Sequence, residues 1–244
     1  MRCNADRLVE ALVGAQLQEQ QAFENIKARQ SWDKSKTHVV TISRNFGSLG
    51  KKVGQLLADT LGVRCCDRYI LQEVARRADI DEGLVKILDE HMSHIDEHWW
   101  QSLLNRNGFN YEDYYKYLVK TVLSIPLKGG GVIIGRGANI ILGPERAFRV
   151  RIVGTQTKCA ERVAERENIS LEEAMQKVRT IDQERADYIH KLYKTDIDDP
   201  LSYDLVLNSD RYDREQLVEL IIEAMLNAGY PLKDNVLDTL HKLA

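Results

Sequence analysis

Gly50-Lys51 closes the run Asn45-Phe46-Gly47-Ser48-Leu49-Gly50-Lys51-Lys52, and a β-branched segment from His38 to Ser43 leads into it. Glycines at 47 and 50 let a turn curl its N–H groups inward. A helix N-terminus adds partial positive charge, and a lysine at that place reaches outer phosphates. The following stretch carries apolar residues at Val53, Leu56, Leu57 and Leu61, a helical spacing. Strand, glycine-rich loop and helix imply binding of a nucleoside triphosphate. The run departs from G-x-x-x-x-G-K-[ST] at both ends. Asn45 stands at the first glycine position, where tolerance of left-handed backbone makes the change mild. Lys52 replaces the hydroxyl residue that usually holds magnesium, which leaves Ser43 and Ser48 as the nearest hydroxyls. A glycine-rich turn in an ordinary α/β domain has the same local appearance, so the rest of the chain must decide.

Two further segments place polar groups directly after strand-like runs. Asp67-Arg68 follows Val63-Arg64-Cys65-Cys66, and Gly135-Arg136-Gly137 follows Val132-Ile133-Ile134. In parallel sheets flanked by helices, ligands sit beyond the carboxyl ends of the strands. The loop, Asp67 and Arg136 are therefore expected on one edge, and this convergence argues for a phosphate site more strongly than the loop alone. Arg179, Asp182 and Arg185 are three apart on a helical stretch. That spacing suits a solvated set of ion pairs worth roughly a few tenths of a kcal/mol each.

Other clusters read as structural. His91, His94 and His98 share a helical face near Glu90 and Asp96, but the spacing is not H-E-x-x-H and no fourth ligand is evident. No metal site is assigned to them. Cys3, Cys65, Cys66 and Cys159 lack C-x-x-C spacing; adjacent Cys65 and Cys66 on a strand face opposite sides and read as small buried hydrophobes. Trp99, Trp100, Phe109, Tyr111, Tyr114, Tyr115 and Tyr117 read as core or subunit interface, with a stacking platform for a base as the alternative.

The chain has 244 residues, room for one α/β domain with insertions or for two small domains. Its 43% hydrophobic and 29% charged content fits a globular protein. A formal net charge of −3 gives no reason to expect nucleic acid or an anionic membrane as partner. No apolar run approaches the ~18 residues that span a bilayer. The N-terminus lacks a signal-type apolar segment, so a cytoplasmic location is expected. Periodicity predicts a polar helix over about 5–30, with Leu8, Leu12, Val13, Leu17 and Phe23 as its stripe, then a linker over 31–36. Strands are predicted at 38–43, 63–67, 132–134, 148–153 and 205–207. Helices are predicted at 51–61 with a stop at Gly62, through the region up to 127, from 138, over 157–168, from Ser170 with Glu173 as capping box, and over 213–227. This alternation predicts an α/β fold with a mostly parallel sheet covered on both faces. The stripe at Leu8, Leu12 and Val13 also offers a contact for a homodimer.

The order of these motifs resembles the cytidylate kinase-like family, a branch of the P-loop nucleoside monophosphate kinases. Thr41 to Lys51 matches that family's T-I-S-R-x-x-G-S-x-G-[RK]. Asp67-Arg68 matches a strand ending D-R, and Gly135-Arg136 a strand ending G-R. Asp182 to Tyr188 matches D-x-x-R-x-x-Y, and Asp199-Pro200-Leu201-Ser202-Tyr203-Asp204 matches D-P-x-x-Y-D. The resemblance covers about residues 37–227. It implies a three-layer P-loop NTPase fold with a five-stranded, mostly parallel sheet over 37–244, after a helical extension over 1–36. It also implies a helical acceptor-binding insert near 78–126, a lid near 180–198, ATP and Mg2+ as cofactors, and a nucleotide as partner. Gly47, Ser48, Leu49, Gly50, Lys51 and Lys52 would cradle the donor phosphates. Asp67, Arg68, Arg136 and Asp182 would place the acceptor. Lys51, Asp67, Arg179 and Arg185 would serve catalysis.

The residue types suit that chemistry. An acceptor phosphate oxygen is already ionised at pH 7, so positioning and charge stabilisation carry the rate. Lys51, Arg179 and Arg185 would neutralise charge on the transferring group, and a closing lid would exclude water. The expected activity is phosphoryl transfer from ATP to a nucleoside monophosphate, CMP or dCMP first. The alternatives are a kinase of another small phosphate-accepting metabolite and a regulatory module that binds nucleotide without turnover. Lys52 in place of a hydroxyl favours the last, and the lid arginines oppose it.

Overall fold

The computed structural model describes residues 38–80, 83, 111–230, 232 and 236. The predicted N-terminal helix, the histidine cluster, Trp99, Trp100, Phe109 and most of the predicted insert lie outside the described residues. Among the described residues, the strands are β1 (Val39–Arg44), β2 (Cys65–Cys66), β3 (Gly131–Ile134), β4 (Phe148–Val153) and β5 (Leu205–Asn208). They form one sheet in the order β2-β3-β1-β4-β5, and every pairing is parallel. Parallel neighbours need crossovers. These contain α1 (Gly50–Leu61), α2 (Arg68–Ala78), α3 (Tyr111–Leu127), α4 (Ala138–Arg146), α5 (Gln156–Glu167) and α6 (Leu171–Tyr193), and α7 (Arg214–Asn227) follows β5.

Strand alternation divides the core in two. Val40 and Ile42 of β1 join Val53 and Leu57 of α1 and Leu217 and Ile221 of α7 on one face. Val39 joins Ile70 and Val74 of α2 and Leu118 of α3 on the other. Cys66 enters this second core and Cys65 packs against the first, as adjacent strand residues must. Tyr114 and Tyr115, 0% and 6% exposed, fill the second core rather than offering a stacking platform. β2 is shorter than the predicted 63–67 for a local reason. Val63 closes α1 by donating its N–H to Ala58 O at 2.9 Å, and Asp67 already begins α2.

β4 departs from an apolar strand. Phe148, Val150 and Ile152 enter the first core, while Arg149 and Arg151 pair with Asp204 and Asp198 of the segment leading into β5. A third, smaller cluster joins Cys159, Ala160 and Val163 of α5 to Ala174 and Val178 of α6, with Phe46 of the glycine-rich loop packed on it. The α5–α6 pair thus has apolar packing of its own. α6 runs unbroken through the start of the predicted lid, and Leu192 near its end belongs to the second core.

Glu73 on α2 is buried and receives Arg76 at 2.6 Å, Arg77 at 3.3 Å and Lys128 at 3.6 Å. The Arg76 hydrogen bond, working against burial and joined by the Lys128 charge, holds its carboxyl down from 4.5 to about 2. A carboxyl depressed in the folded state favours folding above its unfolded value and loses that contribution as pH falls through the folded value. Glu73→Gln should flatten the acid-side fall of Tm between about pH 4.5 and about pH 2. An unchanged slope would show that these contacts contribute nothing.

Candidate active site

β1 ends at Arg44, and the backbone turns through Asn45 to Leu49 before α1 begins. Gly47 sits at φ +84°, and a Cβ there would lie 2.5 Å from Cys159 O, so the loop is pressed against α5 where only glycine fits. Leu49 precedes α1 at φ +66°, a left-handed conformation that costs a bulky residue on the order of 1–3 kcal/mol. Leucine also has no capping oxygen, and α1 starts without a side-chain cap. Its first-turn N–H groups are thereby left for an anion. Lys51 and Lys52 are exposed on that turn.

The two hydroxyls nearest the missing loop hydroxyl bond to protein groups. Ser48 is buried, with Oγ 2.9 Å from Asn45 O and 3.0 Å from Ile152 O. Ser43 Oγ accepts from Arg151 Nη1 at 2.9 Å and lies 3.3 Å from the Tyr203 hydroxyl. Both tie β1 and the loop to neighbouring segments. Among the described residues, no three His, Cys, Asp or Glu side chains gather as a metal site.

α2 and α4 also begin without a side-chain cap. Asp67, the residue before α2, sends its carboxylate to Lys51 Nζ at 2.9 Å and to Arg136 Nη1 at 3.4 Å. Burial pushes this carboxyl up, but the Lys51 hydrogen bond and the charges of Arg136 and Arg44 outweigh burial and hold it below its ordinary value. Arg136 also donates to Asp67 O at 3.1 Å and to Ile134 O at 3.4 Å. Its φ is +57°, between Gly135 at +76° and Gly137 at +67°. Three successive left-handed residues thus turn β3 into α4, a strain that functional sites tend to hold. Gly137 has no room for a Cβ, which would lie 2.3 Å from the Tyr193 ring, and the Tyr193 hydroxyl donates to Arg136 O at 3.0 Å. The end of α6 therefore fixes this turn. Arg68 is exposed at the start of α2.

The middle of α6 reaches the loop. Asp182 accepts from the Phe46 N–H at 2.7 Å and from Asn45 Nδ2 at 3.1 Å. Arg185 Nη1 donates to Arg44 O at 3.1 Å and lies 3.4 Å from Asp182. Burial raises the Asp182 carboxyl above its ordinary value against the pull of the Phe46 N–H and Arg185, and burial also lowers Arg185. The guanidinium groups of Arg166 and Arg185 lie 5.2 and 5.6 Å from the centre of the Phe46 ring, within cation–π range. Asp182 thus holds the loop through the Phe46 N–H and the Asn45 side chain. Arg179 is exposed, with Nε 3.4 Å from Gln156 Oε1.

Three arginines important to the site carried no assigned role in the sequence. Arg162 donates to Gly47 O at 3.4 Å and to Ser209 O at 2.6 Å, clamping the loop to the end of β5. Arg151 donates to Ser43 Oγ and, at 2.5 Å, to Asp198 Oδ1, with its guanidinium 5.8 Å from the Tyr203 ring centre. The alternation of arginines along β4 was its visible signal. Arg44 reaches Gly135: a Cβ there would lie 2.2 Å from Arg44 Nη1. Its place in the T-I-S-R motif was its only signal.

A parallel sheet whose central strand feeds a glycine-rich loop, an uncapped helix and an exposed lysine defines a P-loop-like α/β protein. The sequence model of the cytidylate kinase-like family matches residues 39–211, and the chain belongs to that family. Cytidylate kinase of Methanothrix thermoacetophila is 26% identical over 191 residues, 77% of this chain and 97% of that protein. Cytidylate kinase of Methanocaldococcus jannaschii is 22% identical over 193 residues, 78% of this chain and 98% of that protein. A uronate isomerase of Corynebacterium glutamicum is 31% identical over 104 residues, but the match spans 42% of this chain and about a fifth (20%) of the isomerase. The crystal structure of an uncharacterized protein from Eubacterium ventriosum superposes with a TM-score of 0.57 at 19% identity, covering 77% of this chain and 97% of that one, which shows a common fold.

The Arg151–Asp198 pair yields a stability test, because Arg151 is 4% exposed and Asp198 70%. Asp198→Ala strands a buried guanidinium and should cost about 2–3 kcal/mol in urea unfolding, less than a fully buried pair because Asp198 is open to water. Adding Arg151→Met should recover part of that loss. A double variant as unstable as the sum of the singles would contradict the pairing.

Proposed function

We propose that the chain transfers the γ-phosphoryl group of ATP to a nucleoside monophosphate, with CMP or dCMP as acceptor. The observation that carries this reading is the meeting of Lys51, Asp67 and Arg136 at the uncapped starts of α1, α2 and α4. The family match and the two cytidylate kinases, each matched over nearly its full length, support cytidylate as the acceptor.

In this reading the α1 amides and Lys51 receive the donor phosphates. Lys51 is 73% exposed, and its ion pair with Asp67 is of the weakly held surface kind, so phosphate can displace the carboxylate. Asp67, Arg68 and Arg136 position the acceptor. Arg179 and Arg185 bring positive charge on α6, which runs into a lid over 180–198, and an insert over 78–126 receives the acceptor nucleoside. An acceptor phosphate oxygen forms a bond to Pγ while the bond from Pγ to the β-phosphate oxygen breaks, its electron pair leaving on ADP. No general base is needed. Magnesium, when bound, neutralises triphosphate charge. With Lys52 lacking a hydroxyl and Ser43 and Ser48 engaged elsewhere, the fit rests on Asp67, a hard oxygen donor of the kind the ion takes beside phosphate oxygens.

The same missing hydroxyl favours a second reading, a module that binds nucleotide without turnover. A magnesium-dependent ADP-release assay of the full chain with ATP against CMP, dCMP, UMP, AMP and GMP separates the two. Saturable release with CMP or dCMP is expected, and ATP binding without release on any acceptor would favour the second reading. Lys51→Ala should lower turnover at least ~100-fold, a typical loss for a transition-state charge partner. Retained activity would mean that the loop is not the donor site.

A further inference from the structure

We infer that Arg44 is a further catalytic residue, one that spans the donor and acceptor sides and contacts the phosphoryl group in transfer; this rests on the phosphotransfer reading above. Arg44 is the last residue of the central strand. Its backbone is fixed by its pairing with Ile152 in β4 and by the bond from Arg185 to its carbonyl. Its side chain leaves over the phosphate loop. A Cβ on Gly50 would lie 2.6 Å from Arg44 Cβ and 2.8 Å from its Cγ, and a Cβ on Gly135 would lie 2.2 Å from its Nη1. Gly50 is not among the residues at positive φ. Backbone conformation therefore does not demand glycine there, whereas the stem of Arg44 does. Two glycines from separate segments, one opening α1 and one closing β3, make a channel for one guanidinium.

That channel runs from the donor side to the acceptor side. Lys51 stands at the first turn of α1 and Arg136 in the turn after β3, and both hold Asp67. Arg44 adds a third positive charge acting on the same carboxylate. Three cations thus act on one carboxylate at the edge where a phosphoryl group would pass. A transferring phosphoryl spreads its charge over three equatorial oxygens, and a planar guanidinium offers two parallel N–H donors to such a group where an ammonium offers a point charge. In the step proposed, Arg44 donates to non-bridging oxygens of that group. The bond from the acceptor oxygen to Pγ forms, the bond to the β-phosphate oxygen breaks, and Arg44 keeps its proton.

The test compares the wild-type full chain with Arg44→Met and Arg44→Lys, measuring kcat and KM with ATP and the preferred monophosphate, the Kd of ATP without acceptor, and Tm. Arg44→Met should lower kcat by about 100-fold or more while leaving the ATP Kd within about 3-fold. Arg44→Lys should restore charge without the fork and recover only part of the loss; it also decides the matter if Arg44→Met does not fold. Unchanged kcat in either folded variant, or a loss that only tracks weakened ATP binding, would overturn the assignment. A wild-type chain that binds ATP but turns over none of the monophosphates would instead defeat the kinase reading, and the role of Arg44 with it.

Discussion

The Asp67 carboxylate is the anion on which the carboxyl edge of the sheet is organised. It forgoes capping α2 and bonds Lys51 and Arg136, with Arg44 acting on it as a third charge. Like charges gathered at the ends of adjacent strands repel, and the carboxylate moderates that repulsion. The same contacts orient the parts: Lys51 is held over the uncapped turn of α1, and Arg136 is held in its left-handed turn. A phosphate that replaces Asp67 on Lys51 gains both the lysine and the amides of α1.

α6 relates the two sides of that edge. Asp182 and Arg185 touch the loop, and Tyr193 seals the Arg136 turn. Tyr193 lies eleven positions after Asp182, about 16 Å along a helix, so one element spans the distance from the glycine-rich loop to the Arg136 turn. Phe46 adds an apolar hold, packing into the small cluster shared by α5 and α6.

Features set by neighbours in sequence were legible without the fold. The turn at 45–50, the stop of α1 at Gly62, the Ser170–Glu173 capping box and β4 over 148–153 all appear where local chemistry requires them. The meeting of the loop, Asp67 and Arg136 was also legible, because parallel topology sends all three to one edge. What distant partners decide was not. The bond of Ser48 Oγ to Ile152 O, 104 residues away, had no local sign. The bond from the Phe46 N–H to Asp182, 136 residues on, had no local sign either. The arginines of β4 stood out in the pattern, but Asp198 and Asp204, which explain them, lie 47 and 55 residues on.

Calorimetric titration of the wild-type chain and of Lys51→Ala with ATP, each repeated in the presence of inorganic tripolyphosphate, tests the central claim most directly. If the carboxyl edge is a phosphate site held ready by Asp67, the wild type binds ATP saturably, tripolyphosphate competes, and Lys51→Ala loses most of the affinity. ATP binding that tripolyphosphate does not displace, or that survives Lys51→Ala intact, would contradict the account.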